Sequence, residues 1–210
     1  MVTGEELRAA RVLRQGEETV RRLESATVGI AGLGGLGSHI AVLLARLGVG
    51  RLVLADFDTV DVTNLHRQHY FLPQLGMHKT DALAVQLREI DPGLLCETHP
   101  VRVTAENAVP LFRDCDVVCE AFDRPDQKAM LIETLLAGLP AVRVVSGSGM
   151  AGIGSVNEIR TEQAFRRLYI CGDRETDVAE AGSLAASRVA ACAAHEAHMA
   201  LRLLLGQETP

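Results

Sequence analysis

Short apolar runs alternate with longer segments of helical periodicity along most of the chain. The apolar runs have the length of strands and are rich in Val, Ile, Leu and Ala. They lie at 26–31, 51–55, 97–103, 116–121 and 141–145. Segments with apolar residues at helical spacing separate several of them, at 38–47, 80–90 and 125–137. Strands that alternate with helices in this way predict an α/β fold with a doubly wound, Rossmann-like and mainly parallel sheet.

The amino-terminal part of the chain precedes this alternation. Segment 5–24 mixes apolar and charged residues at roughly helical spacing, and Gly16 is expected to divide it into two helices. Residues 1–25 are therefore interpreted as a helical segment outside the alternation. The length of 210 residues suits a single domain, 1–210, that is large enough for a full hydrophobic core.

The carboxyl-terminal part follows a different pattern. A glycine-rich run at 146–155 is followed by two possible strands around 161–165, which we expect to form an antiparallel extension of the sheet. Segment 183–205 is rich in Ala and Leu and predicts a long helix. Ser183 is the expected N-cap of this helix, and Gly206 is expected at its C-terminal end.

Composition and charge narrow the classes of protein. Hydrophobic residues make up 48% and charged residues 23%, which is ordinary globular usage. A formal net charge of −6 disfavours nucleic acid as the main partner, because that binding depends on clustered Lys and Arg. No apolar stretch is long enough to cross a bilayer, and the first residues are too polar for a signal peptide. We therefore expect a cytoplasmic protein without a membrane partner. The five cysteines show no repeating spacing and are expected to be free thiols.

A glycine-rich turn carries the first functional signal. Gly32, Gly34 and Gly37 form G-x-G-x-x-G between a predicted strand and a predicted helix, with Gly35 inside the motif. Such glycines allow a tight turn and close approach of the backbone, and the start of the helix attracts phosphate. Asp56 ends the second predicted strand, where a carboxylate can accept hydrogen bonds from ribose hydroxyls. The pattern predicts an adenosine nucleotide site and leaves NAD and ATP both open.

The segment that follows resembles a known family. Residues 56–68, DFDTVDVTNLHRQ, resemble the D-x-D-x-V-x-x-S-N-L-x-R-Q signature of the E1-like enzymes that activate ubiquitin and its relatives. Thr63 replaces the usual Ser and keeps the hydroxyl group. The similarity continues through 76–79 (GMHK), 120–123 (EAFD) and 168–172 (LYICG) into the final helix. The short length and the later segments are most similar to a compact subfamily of the ThiF family, the adenylyltransferases of sulfur-carrier proteins.

The resemblance implies a set of site residues. In adenylation a carboxylate attacks the α-phosphorus of ATP, so negative charge builds up on phosphate oxygens and cations are needed beside them. The catalytic candidates are Arg67, Lys79 and Asp123, with Asp123 as the Mg²⁺ ligand. The nucleotide-binding candidates are Gly32, Gly34, Gly35, Gly37, Asp56, Asp58, Asn64, Arg67, Gln68 and Lys79. Asp58 either assists the site or only caps the turn.

Several features of related enzymes are incomplete in this sequence. Many relatives bind a structural Zn²⁺ through two C-x-x-C pairs, and none occurs here, so we expect no zinc. Cys171 is the candidate for a covalent link to a carrier, with an inert thiol as the alternative. The resemblance also implies that an arginine near the amino terminus of a partner subunit completes the site, with Arg11 and Arg14 as candidates. A homodimer is expected, because the apolar final helix suggests burial against another surface.

The resemblance implies ATP- and Mg²⁺-dependent adenylylation of the C-terminal glycine carboxylate of a small ubiquitin-like sulfur carrier ending in Gly-Gly. A ThiS-like carrier would place the reaction in the thiazole branch of thiamine synthesis. Two alternatives within the superfamily remain, a MoaD-like carrier and a carboxylate on modified tRNA. An alternative of another class is an NAD-dependent Rossmann oxidoreductase that uses the same glycine turn.

Overall fold

A seven-stranded sheet forms the centre of the fold, in a computed structural model that describes residues 3–210. Within these residues the strands are β1 (Thr27–Ala31), β2 (Arg51–Ala55), β3 (Leu95–His99), β4 (Val117–Glu120), β5 (Arg143–Gly147), β6 (Arg160–Phe165) and β7 (Leu168–Gly172). Their order across the sheet is β3-β2-β1-β4-β5-β7-β6. All neighbours are parallel except β6, which pairs antiparallel with β7 at one edge. The predicted α/β class and its mainly parallel sheet are confirmed.

Helices cover both faces of the sheet. They are α1 (Gly4–Gln15), α2 (Glu17–Glu24), α3 (Gly35–Leu47), α4 (Lys79–Ile90), α5 (Ala105–Phe112), α6 (Pro125–Gly138), α7 (Val178–Ala181) and α8 (Ala186–Leu204). One apolar core joins the sheet to α3, α4 and α8, and a second joins the other face to α5 and α6. This two-sided burial explains why the central strands are continuous apolar runs.

The strands divide their side chains between the two cores. Leu52 and Leu54 of β2 face α3 and α4, whereas Val53 and Ala55 belong to the opposite core. On β1, a Cβ built at Gly29 would lie 2.6 Å from the ring of Phe112, so the glycine lets this fully buried ring lie close to the sheet. Truncation of such a ring to Ala costs about 3 to 5 kcal/mol in comparable cores.

The ends of several elements follow the sequence signals. Gly16 divides α1 from α2, and the left-handed Gly48 (φ 92°) ends α3 as its C-cap. Gly206 also has a positive φ (76°) and follows Leu205, the C-cap of α8, so it lies at the C-terminal end of the helix as predicted. The carbonyl of Leu203 accepts the N–H of Gly206 at 3.0 Å.

Other local predictions were wrong or incomplete. Helix α8 begins at Ala186 with Ala185 as its N-cap, and the carbonyl of Ser183 instead accepts the N–H of Gly152 at 2.9 Å. Helix α5 was not predicted, because a single Pro110 interrupts its short apolar pattern. The predicted antiparallel extension is present as β6, but β7 runs parallel to β5 because the chain crosses over before it enters the sheet.

Spanning a membrane requires helices that are long and predominantly apolar. None of those formed by residues 3–210 is both long enough and apolar enough to cross a bilayer.

Candidate active site

A cavity of about 650 Å³ opens at the carboxyl ends of the central strands. Residues that directly follow four strands line it, namely Gly32 after β1, Asp56 after β2, Ala121 after β4 and Ser148 after β5. Open parallel sheets bind their ligands at this edge, because the loops that leave the strands diverge there. The cavity is therefore the natural candidate for the active site.

The glycine bend forms the floor of this cavity. Gly32 has a left-handed conformation (φ 88°) and donates its N–H to the carbonyl of Ala55 at 2.8 Å. Gly34 is the N-cap of α3 and supplies no side chain to cap the first turn, so backbone N–H groups remain for a ligand. Gly37 lies behind the bend, where an added Cβ would lie 1.9 Å from the carbonyl oxygen of Gly32. The third glycine therefore serves the close packing of helix on strand.

Asp56 is held rigidly beside the bend. Its Oδ2 accepts the N–H of Leu33 at 2.6 Å, and its Oδ1 accepts the N–H of Asp58 at 2.8 Å. Burial raises the pKa of Asp56, and the nearby Lys79 ammonium together with the two N–H donors opposes that rise. Each carboxylate oxygen keeps a lone pair, so the side chain remains able to accept a hydrogen bond from a ligand hydroxyl.

Lys79 is a buried cation with a fixed position. Its Nζ donates to Oδ2 of Asp58 at 2.9 Å, and its backbone N–H donates to the carbonyl of Asp58 at 3.0 Å. The Lys79 side chain is only 5% exposed, although Asp58 itself is half exposed. Asp58 therefore does more than cap a turn, because it orients the lysine at the start of α4.

A short helical turn presents Arg67 and Gln68 to the same cavity. The carbonyl of Asn64 accepts the backbone N–H groups of both residues at 3.1 Å. Asp61 begins this turn by accepting the N–H of Thr63 at 2.8 Å. The Oε1 atom of Gln68 is buried and has no hydrogen-bond partner among residues 3–210. A polar ligand in the cavity would satisfy this atom, since buried polar groups are seldom left unpaired.

Asp123 lies on a loop after β4, and hydrogen bonds from neighbouring side chains hold this loop in place. The Oε1 of Glu120 accepts the N–H of Phe122 at 2.7 Å, and Lys128 donates to the carbonyl of Phe122 at 2.9 Å. Lys128 also pairs with Glu120 at 2.8 Å, so one ion pair holds both the N–H and the carbonyl of Phe122, the residue that precedes Asp123. In the described part of the chain, the Asp123 carboxylate makes no hydrogen bond or ion pair. One exposed carboxylate facing a cavity suits Mg²⁺, which takes one or two carboxylates and completes its shell with phosphate oxygens and water.

The structure thus brings most of the predicted site together. Nine candidates line the one cavity, namely Gly32, Gly34, Gly35, Asp56, Asp58, Asn64, Arg67, Gln68 and Lys79, and Asp123 joins them. Gly37 lies outside the lining. Phe57, Arg102 and Lys128 also line the cavity and were not predicted. Their only sequence signals are their positions just after a strand or near one of the predicted residues.

The two amino-terminal arginines have different surroundings. Arg11 lies outside the cavity lining and pairs with Asp91 at 2.7 Å, with both side chains nearly buried, and its guanidinium packs against Gly48. This arginine therefore joins α1 to the body of the fold. Arg14 is exposed and makes no ion pair or side-chain hydrogen bond within residues 3–210.

Cys171 lies within β7, away from the lining of the cavity. Its side chain is fully buried, and burial raises the pKa of the thiol. The sulfur lies 3.4 Å from Oγ1 of Thr161 on the neighbouring strand. A thiol in this environment is held neutral and enclosed, which suits packing better than attack on a carrier.

Comparisons with known proteins show the family of the chain. A profile of the ThiF family matches residues 7–210. The sulfur carrier protein adenylyltransferase of Thermus thermophilus is 36% identical over 129 residues, covering 60% of this chain and 48% of that protein. The adenylyltransferase and sulfurtransferase UBA4 of Kluyveromyces lactis is 31% identical over 196 residues, covering 90% of this chain and 43% of that protein. The chain thus spans less than half the length of either relative.

A solved structure gives the same architecture over the full length. The E. coli tRNA N6-threonylcarbamoyladenosine dehydratase TcdA, solved in complex with AMP, superposes with a TM-score of 0.86. It is 21% identical, and the match covers 98% of both chains, which establishes a shared fold. With the family profile matched over nearly its whole length, the chain belongs to the ThiF family of the E1-like superfamily.

Proposed function

We propose that this protein is an adenylyltransferase that uses ATP to activate the C-terminal glycine carboxylate of a small ubiquitin-like sulfur carrier. The observation that carries the proposal is the one cavity in which the glycine bend, Arg67, Lys79 and Asp123 meet. Further support comes from relatives named for sulfur-carrier adenylylation. An NAD-dependent oxidoreductase is the weaker alternative, because hydride transfer does not require the cations Arg67 and Lys79 or the carboxylate of Asp123.

The reaction needs cations at the triphosphate. A carboxylate oxygen of the carrier attacks the α-phosphorus, a new acyl–oxygen–phosphorus bond forms, and the bond to the bridging oxygen breaks to release pyrophosphate. Negative charge then grows on the non-bridging oxygens and on the leaving group. Arg67 offers a planar pair of donors to such oxygens, and Lys79 offers a point charge in a water-poor setting where its attraction is strong.

The other residues hold the nucleotide. N–H groups of the bend and of the first turn of α3 suit the phosphates, and Asp56 suits the ribose hydroxyls. Asp123 would hold Mg²⁺, which supplies neutralisation of the phosphate charge when it is bound. Lys128 and Glu120 keep the Asp123 loop in place for that task.

The finer parts of the proposal concern the carrier and the assembly. We propose a carrier of the ThiS type that ends in Gly-Gly, which assigns the enzyme to the thiazole branch of thiamine synthesis. A MoaD-like carrier is the first alternative. We also propose a cytoplasmic homodimer in which an arginine of each subunit reaches the other site.

The test measures pyrophosphate release by the purified protein with ATP, Mg²⁺ and a panel of carriers. Release is expected with a ThiS-like carrier and not with the same carrier lacking its last glycine. Lys79→Met should lower the rate by about 10²- to 10³-fold, as loss of one transition-state donor does, while ATP still binds. Arg113→Met, which removes an exposed cation outside the lining of the cavity, is the control. Failure of every carrier to stimulate release would remove the proposal, and stimulation by tRNA would favour the tRNA-borne carboxylate.

A further inference from the structure

The turn that carries Arg67 is held through its backbone by side chains of two helices. The Nε2 atom of His39, on α3, donates to the carbonyl of Arg67 at 3.3 Å. The hydroxyl of Ser38, one residue earlier, accepts the N–H of His69 at 3.0 Å. Gln86 of α4 donates its Nε2 to the carbonyl of His69 at 2.9 Å. We call Ser38, His39 and Gln86 the polar clamp.

The chemistry of the clamp fixes the direction of its hydrogen bonds. A carbonyl oxygen only accepts, so the bond to Arg67 requires a proton on Nε2 of His39. Burial lowers the pKa of His39, and the neighbouring His69 adds to this shift, whereas the bond to Arg67 opposes it. Ser38 is fully buried and donates its hydroxyl proton to the carbonyl of Gly34 at 2.6 Å. One hydroxyl therefore links the Arg67 turn to the glycine bend.

The side chain of Arg67 has few contacts of its own. Within residues 3–210 its guanidinium makes no ion pair, and its hydrogen-bond contact is with Nε2 of the exposed His66 at 3.4 Å. Lys79 differs, because the carboxylate of Asp58 orients its ammonium group. The position of the Arg67 guanidinium must therefore come from the backbone of the turn, and rigid support of this kind is what a functional side chain needs.

We propose that the polar clamp positions Arg67 for the phosphate charge of the nucleotide. The inference rests on the proposed function in taking Arg67 as a cation of the adenylylation site. The clamp residues contact the backbone of the turn, so they are positioning residues. Gly35 lets the helix approach this turn, since an added Cβ there would lie 3.7 Å from the carbonyl oxygen of Arg67. A shift of about 1 Å in such a group can lower the rate about 100-fold.

The experiment is a double-mutant cycle on ATP affinity, measured by calorimetry without a carrier. His39→Leu removes the donor to Arg67 and should weaken ATP binding about tenfold, which is the size of coupling found within one hydrogen-bond network. In the Arg67→Met background the same change should have no effect, because the guanidinium that it displaces is absent. His39→Gln places an amide N–H near the position of Nε2 and should restore most of the affinity.

A second clamp variant and a matched control accompany the cycle. Ser38→Ala is a smaller change, which leaves the N–H of His69 unpaired and should show the same dependence on Arg67. It carries the test if His39→Leu fails to fold, which thermal unfolding reveals. His198→Leu removes an exposed histidine outside the lining of the cavity and should leave ATP affinity unchanged in both backgrounds.

The outcomes separate the clamp from the proposed function. Equal losses of ATP affinity in the two backgrounds would overturn the inference, because a purely structural role does not depend on the Arg67 side chain. Wild-type affinity in the clamp variants, or a wild-type protein that binds no ATP, would also overturn it. If the cycle shows the coupling but no carrier stimulates pyrophosphate release, the clamp stands and the proposed function fails. Carrier-dependent release without coupling gives the reverse result.

Discussion

At the scale of single residues, the stability of the fold is most sensitive to buried ionisable side chains. Glu196 of α8 is fully buried, and both of its carboxyl oxygens lack a hydrogen-bond partner within residues 3–210. Burial raises the pKa of Glu196 well above its usual range, with Lys128 opposing and Glu120 adding to the rise. Burial therefore favours the protonated form of this side chain, which lies against Gly147, where an added Cβ would be 2.6 Å from Oε1.

Glu196→Gln should make the free energy of unfolding less dependent on pH. An acid whose pKa is raised by folding lowers stability progressively as the pH rises above its unfolded value, because only the unfolded chain releases the proton. The variant should resemble wild type near pH 5 and be the more stable of the two proteins near pH 8. Urea unfolding at the two pH values measures this difference, and Glu133→Gln on the exposed face of α6 is the control. An equal difference at both pH values would contradict the expectation.

At the scale of secondary-structure elements, the carboxylate of Asp173 joins separate segments of the chain. Asp173, directly after β7, accepts the N–H groups of Glu175 and Thr176 at 2.9 Å and pairs with the buried guanidinium of Arg188 in α8. Arg188 also donates to the carbonyl of Ser155 at 2.7 Å. Because Thr176 lines the cavity, this network ties one wall of the site to the longest helix.

Asp173→Asn should cost stability at neutral pH and less in acid. Burial acts to raise the pKa of Asp173, but the hydrogen bonds from Thr176, Glu175 and Arg188 together outweigh it and lower the pKa to about 2. The stabilisation is complete above the ordinary value near 4 and is lost as the pH falls toward 2. We expect a loss of about 2 kcal/mol at pH 7 that shrinks below pH 4. Denaturant unfolding across this range measures it, with the exposed Asp114→Asn as control, and a pH-independent loss would refute the expectation.

At the scale of the whole molecule, the proposed homodimer depends on which amino-terminal arginine can reach a partner subunit. Arg11 is engaged with Asp91 inside its own subunit, which leaves Arg14 as the better candidate for an arginine that reaches a partner's cavity. Arg14 lies near the end of α1, on the surface of the fold. A homodimer with exchanged arginines would contain two sites, each built from both chains.

Mixing two inactive variants tests this arrangement. Arg14→Ala and Lys79→Met should each lose carrier-dependent pyrophosphate release, because one lacks the donated arginine and the other lacks the buried cation. In a random mixture, half of the dimers would hold one intact site, so about a quarter of the wild-type activity should return. Sedimentation establishes the oligomeric state in parallel. A monomer, a fully active Arg14→Ala variant or no recovery in a mixed dimer would contradict the prediction.

Local signals in the sequence determined the fold class and most of the residues that line the candidate cavity. Apolar runs of strand length, helical periodicity and punctuating glycines depend on neighbouring residues, so Gly16, Gly206 and the glycine bend could be interpreted without coordinates. Asp56 and Asp123 follow strands of a parallel sheet, and the carboxyl ends of such strands meet at one edge. The membership of the site was therefore largely predictable from motif and topology.

Only the tertiary structure decided which side chains act on each other. The pairs Lys79–Asp58, Arg102–Phe57 and Arg188–Asp173 join residues 12 or more positions apart, and no periodic pattern specifies such contacts. The wrong N-cap at Ser183 has the same cause, because its carbonyl is recruited by Gly152 from another segment. The position of β7 beside β5 likewise depends on how the chain crosses the sheet. Local chemistry selects elements and motifs, whereas long-range packing determines their partners.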